Sequence, residues 1–241
     1  DLKWFKIWVP KEYFIDGMET WLKTEIEKAI TKLKELGAEI IDISLPYTPY
    51  GLAVYYITVW AEVSTNMARY DWIRFGYAND EGLPLSEAYL KNRSESIWKE
   101  VKRRIMLGTF VLSSWFYDAY YNKAALVREL IRNDFNEAFK QVDVIVCPSC
   151  PSVAWKIWAK IDDPVKMYLE DVFNIGGSLS WLPWLVVPCG FAKPEDWEDI
   201  ESPVWLQILW PQMQEEKLFA VWHVFEQANK AYINSKKPEI F

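Results

Sequence analysis

Within its first 45 residues the chain changes hydrophobic period twice, and that change limits the fold more than any other feature. Lys6–Val9 is a short β-type run closed by Pro10. From Leu22 the apolar positions Leu22, Ile26, Ala29, Ile30, Leu33 and Leu36 recur at helical spacing, and Gly37 supplies the stop. Glu39–Leu45 then alternates apolar and polar residues and ends at Pro46. Strand, helix and strand at this separation make a βαβ unit, and with it an α/β fold.

The rest of the chain extends the same alternation. A helical pattern over Val54–Tyr70 gives way to a polar loop containing Gly76, Gly82 and Pro84. Two longer helices are expected, over Glu87–Leu112 and over Asp118–Lys140, the second carrying Val127, Leu130, Ile131 and Phe135. Val142–Val146 is a continuous apolar run bounded by Pro148, which suits a buried strand. Val186–Val187 and Leu206–Leu209 read as two further strands. A helix near Pro164–Phe173, a polar loop over Lys193–Ser202 and a last helix over about Glu215–Asn234 complete the pattern. With no internal repeat and no linker rich in Gly and Pro, residues 1–241 are expected to form one α/β domain.

Composition narrows the partners. At 51% hydrophobic the chain is able to bury its own core, and a net charge of −7 repels polyanions, so any nucleic-acid contact would need a local basic patch or a partner subunit, and no DNA partner is expected. No stretch approaches the roughly 18 apolar residues of a membrane span, and no basic-plus-apolar leader opens the sequence. Three cysteines, an odd number, fit a reducing compartment, and the expected location is the cytoplasm.

The individual motifs are weak. Cys147-Pro148-Ser149-Cys150 has C-x-x-C spacing, but the flanking Pro148 and Pro151 deny it the helix N-terminus that a redox pair uses. Cys189 and His223 are the only other Cys or His residues available to a zinc site, so the pair reads as structural and no metal is expected. His223 is the lone histidine, which nearly excludes a Ser-His-Asp triad. Asn92-Arg93-Ser94 matches a glycosylation acceptor without a secretory context. Lys102-Arg103-Arg104 opens an apolar helical run, either as a solvated turn or with one Arg forking onto a carboxylate or phosphate. Asp171, with Asp162, Asp163 and Glu170 nearby, reads by itself as surface.

Longer strings carry a resemblance. Lys6–Tyr13, Tyr55-Tyr56-Ile57 with Ala61-Glu62, Asn66–Asp71, Glu100–Thr109, Tyr117–Tyr121 and Val186–Phe191 together resemble the A-subunit family of the Asp/Glu-tRNA amidotransferases, which are amidase-signature enzymes. The resemblance implies an amidase-signature α/β/α sandwich with a mixed sheet. It also implies that 1–241 corresponds to the C-terminal half only, an expectation that the opening Asp1 supports. In that family a Lys acts through a bridging Ser to deprotonate a nucleophilic Ser, which attacks the side-chain amide of glutamine while backbone N–H groups hold the oxyanion. These groups lie in and before a Gly/Ser-rich signature that has no counterpart here; the only Ser pair is Ser113-Ser114, in a stretch that reads as helical. No catalytic residue is therefore expected in this chain. The implied contribution is glutamine binding, with Tyr55 lining the pocket, Arg104 forking onto the α-carboxylate and Asp171 accepting from the α-ammonium; Arg103 is the fallback if the register slips by one. The implied partners are the B and C subunits of a heterotrimer. ATP and Mg²⁺ are used by the B subunit, where ammonia amidates the mischarged aminoacyl-tRNA, and this chain itself is expected to bind no cofactor.

Two rival readings remain open: a free-standing amidase of the same fold, and a catalytically inert scaffold. One compositional oddity stands apart from all three. Average usage of about 7% predicts roughly 17 glycines, yet the chain has 9 Gly and 15 Trp. Trp4, Trp8, Trp21, Trp72, Trp98, Trp115, Trp158, Trp181, Trp184, Trp205 and Trp210 fall where the resembled family usually or often has glycine, whereas Trp155 fits as written. The expectation is that UGA, decoded as glycine, has been written as tryptophan. Eleven indoles at glycine sites would exceed a stability of about 5–15 kcal/mol and leave the chain molten or aggregated.

Overall fold

The computed structural model describes residues 1–15, 18–71, 73–74, 76–79, 82–155, 164–193 and 201–236. In chain order the strands are β1 (Lys6–Trp8), β2 (Glu39–Ile41), β3 (Val144–Pro148), β4 (Trp184–Ala192) and β5 (Ser202–Leu209). The helices are α1 (Thr20–Glu35), α2 (Gly51–Met67), α3 (Leu85–Ser96), α4 (Lys99–Val111), α5 (Lys123–Ala138), α6 (Pro164–Leu169), α7 (Ile175–Leu179) and α8 (Glu215–Ser235). Two compact units result: a sheet unit of Asp1–Leu52 with Arg128–Phe241, and a helical unit of Ala53–Val127.

In the sheet unit the strand order is β2-β1-β3-β5-β4. β1 pairs in parallel with β2 (Ile7 opposite Ile40) and with β3 (Ile7 opposite Val144), which is the expected βαβ unit. β3–β5 and β5–β4 are antiparallel, so the sheet is mixed. Side chains alternate across it as the pleat requires. Ile7, Val144, Val146, Val187, Leu206 and Ile208 face a core completed by Leu22, Ile26, Ala29 and Leu33 of α1 and by Leu218, Val221 and Phe225 of α8. Trp8, Ile145, Cys147, Gln207 and Leu209, also buried, point the other way. On that face Gly176 of α7 lies against Tyr13 and Phe135 of α5, and Gly177 lies against Leu209. Helices on both faces make an α/β/α sandwich.

Several element boundaries differ from the pattern reading, each for a local reason. The single helix expected over Glu87–Leu112 is two, because Ile97 (φ −96°, ψ 109°) is extended and turns inward to be buried. Lys102 Nζ caps the break by donating to the Ser94 carbonyl at 2.7 Å. The helix expected from Asp118 begins instead as a π-helical stretch, Tyr117–Asn122, which brings the Tyr117 and Tyr121 rings to 5.2 Å. Ser113-Ser114 lies in the turn before it rather than within a helix. β3 is displaced two residues toward Pro148, since its ladder continues to Pro148 opposite Leu206. β2 stops at Ile41. β4 and β5 are far longer than their apolar centres, with an irregularity between Pro188 and Gly190. The helix expected to reach Phe173 ends at Leu169, which leaves Asp171 in a turn. Of the loop expected over Lys193–Ser202, residues 194–200 lie outside the described residues and Ser202 already belongs to β5.

Candidate functional site

The sequence-derived binding residues divide between the units. Tyr55 and Arg104 belong to the helical unit and Asp171 to the sheet unit.

In the helical unit α2 and α4 cross at a glycine. A Cβ at Gly108 would lie 1.8 Å from the Trp60 carbonyl oxygen and 2.8 Å from Ser64 Cβ, so only hydrogen fits and the two helices approach closely. Arg104 stands one turn before Gly108 on α4, so the crossing fixes where its side chain leaves the helix. Its Nε donates to Glu100 Oε1 at 3.0 Å, while Arg103 pairs with Glu100 Oε2. Glu100 thus holds two guanidinium groups, both partly exposed. An i,i+4 pair of this kind contributes about 0.3–0.5 kcal/mol, so its effect is on orientation more than on stability. Arg103 also lines an open cavity of about 700 Å³ with Ile97, Trp98, Lys102 and Met106. Tyr55, on α2, is half-buried and meets Tyr56 edge to face at 5.1 Å and 79°. Tyr56 continues the ladder to Trp60 at 5.4 Å. A smaller cavity, about 250 Å³, is lined by Ala61, Glu62, Thr65, Asn66, Leu112 and Tyr121.

In the sheet unit the Asp171 turn is closed by three backbone hydrogen bonds. The Asp171 N–H donates to the Tyr168 carbonyl (3.2 Å), and the Asp171 carbonyl accepts from the Asn174 (3.0 Å) and Ile175 (3.2 Å) N–H groups. The turn is tied to the sheet by Gln207, which is fully buried on β5 and donates from Nε2 to the Phe173 carbonyl (3.2 Å) and toward Cys147 Sγ (3.6 Å). Tyr13 stacks on Phe173 at 5.5 Å, and burial pushes its phenol well above the ordinary range. The Ser152 hydroxyl donates to Glu170 at 2.7 Å, next to Asp171. Pattern reading gives no reason to single out Gln207: in an alternating strand a polar residue reads as solvent-facing.

Burial also pushes the Cys147 thiol strongly up, away from the thiolate that a redox pair needs. His223 is exposed on α8.

Comparison with known proteins gives this arrangement a context. The family model described as Amidase matches residues 1–219. The chain is 47% identical over 95% of its length to a Thermoanaerobacter pseudethanolicus protein named as the A subunit of Glutamyl-tRNA(Gln) amidotransferase, covering 46% of that relative. It is 46% identical over 99% of its length to a protein of the same name from Caldanaerobacter subterraneus subsp. tengcongensis, covering 47% of it. A crystal structure of the Glutamyl-tRNA(Gln) amidotransferase A subunit from Thermotoga maritima superimposes with a TM-score of 0.61 at 32% identity, over 87% of this chain and 39% of that one. The chain thus spans about half the length of the curated relatives it matches. A family match that runs from the first strand into the last helix shows that this chain belongs to the amidase family.

Proposed function

We propose that the chain supplies the glutamine-binding part of the glutaminase subunit of an aspartyl/glutamyl-tRNA amidotransferase. The observation that carries this reading is identity of 46–47% sustained over 95–99% of the chain to proteins named as the A subunit of such an enzyme. The chemistry of the candidate residues suits it. A free amino acid presents one charge of each sign, and recognition calls for one guanidinium and one carboxylate held by their own partners. Arg104, oriented by Glu100, takes the α-carboxylate. Asp171, in a turn anchored through Phe173 to Gln207, accepts from the α-ammonium. Tyr55 supplies an aromatic wall.

The Lys-Ser-Ser apparatus that cleaves the amide belongs, in this reading, to the remainder of the glutaminase. Ammonia passes to a B subunit that uses ATP and Mg²⁺, a C subunit completes a cytoplasmic heterotrimer, and tRNA is met through the assembly. Glutamine binding to the complete glutaminase, measured by calorimetry with and without Arg104→Ala, tests the assignment. Loss of a charge-assisted hydrogen bond of about 1.5–3 kcal/mol predicts roughly ten- to hundredfold weaker binding. Unchanged affinity overturns the role of Arg104.

A further inference from the structure

Among the described residues, three positions other than glycine hold a backbone with positive φ: Trp4 (83°), Trp181 (54°) and Met213 (61°). The left-handed region brings Cβ against the neighbouring carbonyl, and for a bulky residue it is a genuine outlier. Two tryptophans in a set of three call for a cause.

Each occupies a position whose hydrogen bonding prescribes glycine. The Phe5 N–H donates to the Leu2 carbonyl at 3.1 Å, closing a turn with Lys3 and Trp4 at its centre. Only the second central residue has positive φ, which is the type II pattern that selects Gly there. At the end of α7 the Leu182 N–H donates to the Gly177 carbonyl (3.1 Å) and the Trp181 N–H to the Ser178 carbonyl (3.3 Å). This is a Schellman motif, and Trp181 stands at its left-handed position, usually glycine. The end of α1 provides an internal control: Ala38 N–H donates to Leu33 (3.2 Å), Gly37 N–H donates to Lys34 (3.0 Å), and the residue in the same place is Gly37, at φ 106°.

The side chains agree with the backbone. Trp4 is 94% exposed and Trp181 57%, although tryptophan is on average a highly buried residue. The Arg128 guanidinium lies 4.4 Å over the Trp181 ring, yet most of that ring still faces water. Two tryptophans of the same compositional excess, Trp8 and Trp210, are buried with no hydrogen-bond partner for Nε1 among the described residues. By contrast Trp222 packs edge to face on Phe219 and against the core, as a tryptophan would be expected to.

We infer that residues 4 and 181 are glycine in the protein its own cell makes. The codon behind both is UGA, one base from the glycine codon GGA, and it is decoded there by a glycine tRNA. Of the other tryptophans of that excess, Trp72 and Trp158 lie outside the described residues. Trp222 is UGG.

Peptide mass mapping of the protein purified from its own cell, read beside the gene, tests this. Glycine at 4 and 181 over UGA codons, with tryptophan at 222 over UGG, is the expected result; tryptophan at 4 or 181 overturns it. A second measurement is independent of the source cell: Trp4→Gly and Trp181→Gly are compared with the chain as written, all in the complete chain and in a host that reads the standard code. Each glycine should raise the folded-to-unfolded ratio by about tenfold, and folding of the glycine chain alone would support the inference as well. Equal or lower stability of the glycine variants contradicts it.

Discussion

The sheet unit and the helical unit hold their parts by different means. In the sheet unit large side chains such as Phe135, Phe173 and Phe225 are fully buried, and Gly176, Gly177 and Gly190 each sit where a Cβ would press into a neighbour. In the helical unit the buried residues are mostly small, among them Val54, Ala61, Ala88, Val111 and Ala124, while Leu85, Leu90, Met106 and Leu126 are 70% exposed or more. The turn bearing Asp171 is therefore set by packing and buried hydrogen bonds. Arg104 depends on one close helix crossing and an ion pair near the surface. Regions with few buried contacts open at low free energy, so local opening should begin in the helical unit.

The largest expected effect tests the sheet side of this contrast. Phe225→Ala, emptying a site between α8 and the sheet, should lower unfolding free energy by about 3–5 kcal/mol in denaturant titration; a loss under about 1 kcal/mol would mean that this core does not dominate. Gly108→Ala drives a methyl into the Trp60 carbonyl and should cost about 1–3 kcal/mol. Its signature is faster amide exchange in α2 and α4 with β3 and β5 unchanged, so uniform acceleration would break the comparison. Gln207→Ala leaves the Phe173 carbonyl without its buried donor and should cost about 1–3 kcal/mol, with exchange rising at residues 173–175. Glu100→Gln should change stability by less than about 1 kcal/mol yet weaken glutamine binding severalfold, because it releases the orientation of Arg104.

The smallest effect near neutrality is that of the buried thiols. Burial raises the pKa of Cys147 and Cys189 above the unfolded value. Their stabilising contribution is complete below the ordinary thiol pKa of about 8.5 and is lost progressively as pH rises from there toward the raised folded-state pKa, since over that range only the unfolded chain releases protons. Both should resist alkylation at pH 8 until the chain unfolds, and rapid labelling of the folded protein would contradict their burial.

Much of the fold was legible where one face of an element carries the signal. Leu22, Ile26, Ala29 and Leu33 announced α1 because all four meet the same core, and Gly37 marked its end. Boundaries set by single tertiary contacts were not legible: nothing local in Ser96-Ile97-Trp98 says that Ile97 turns inward, and α7 is hidden by the helix-unfriendly Gly176-Gly177, which proximity to Phe135 and Leu209 requires. Of the candidate site, the roles of Arg104 and Asp171 could be named only as what the family resemblance implies, since by themselves Arg104 reads equally as part of a solvated turn and Asp171 as surface. Their supports could not be, because Gly108 acts through a helix 48 residues earlier and Gln207 through a carbonyl 34 residues away, and neither leaves a periodic trace.

The proposed function assigns the α-carboxylate of glutamine to Arg104 and its α-ammonium to Asp171, and ligand analogues test it most directly. Calorimetry on the complete glutaminase would compare glutamine with 4-aminobutanamide, which lacks the α-carboxylate, and with glutaramic acid, which lacks the α-ammonium. Arg104→Ala should weaken glutamine and glutaramic acid but leave 4-aminobutanamide unchanged, and Asp171→Asn should show the reverse selectivity. Equal losses for both analogues in both variants would contradict the assignment of each residue to its own charge.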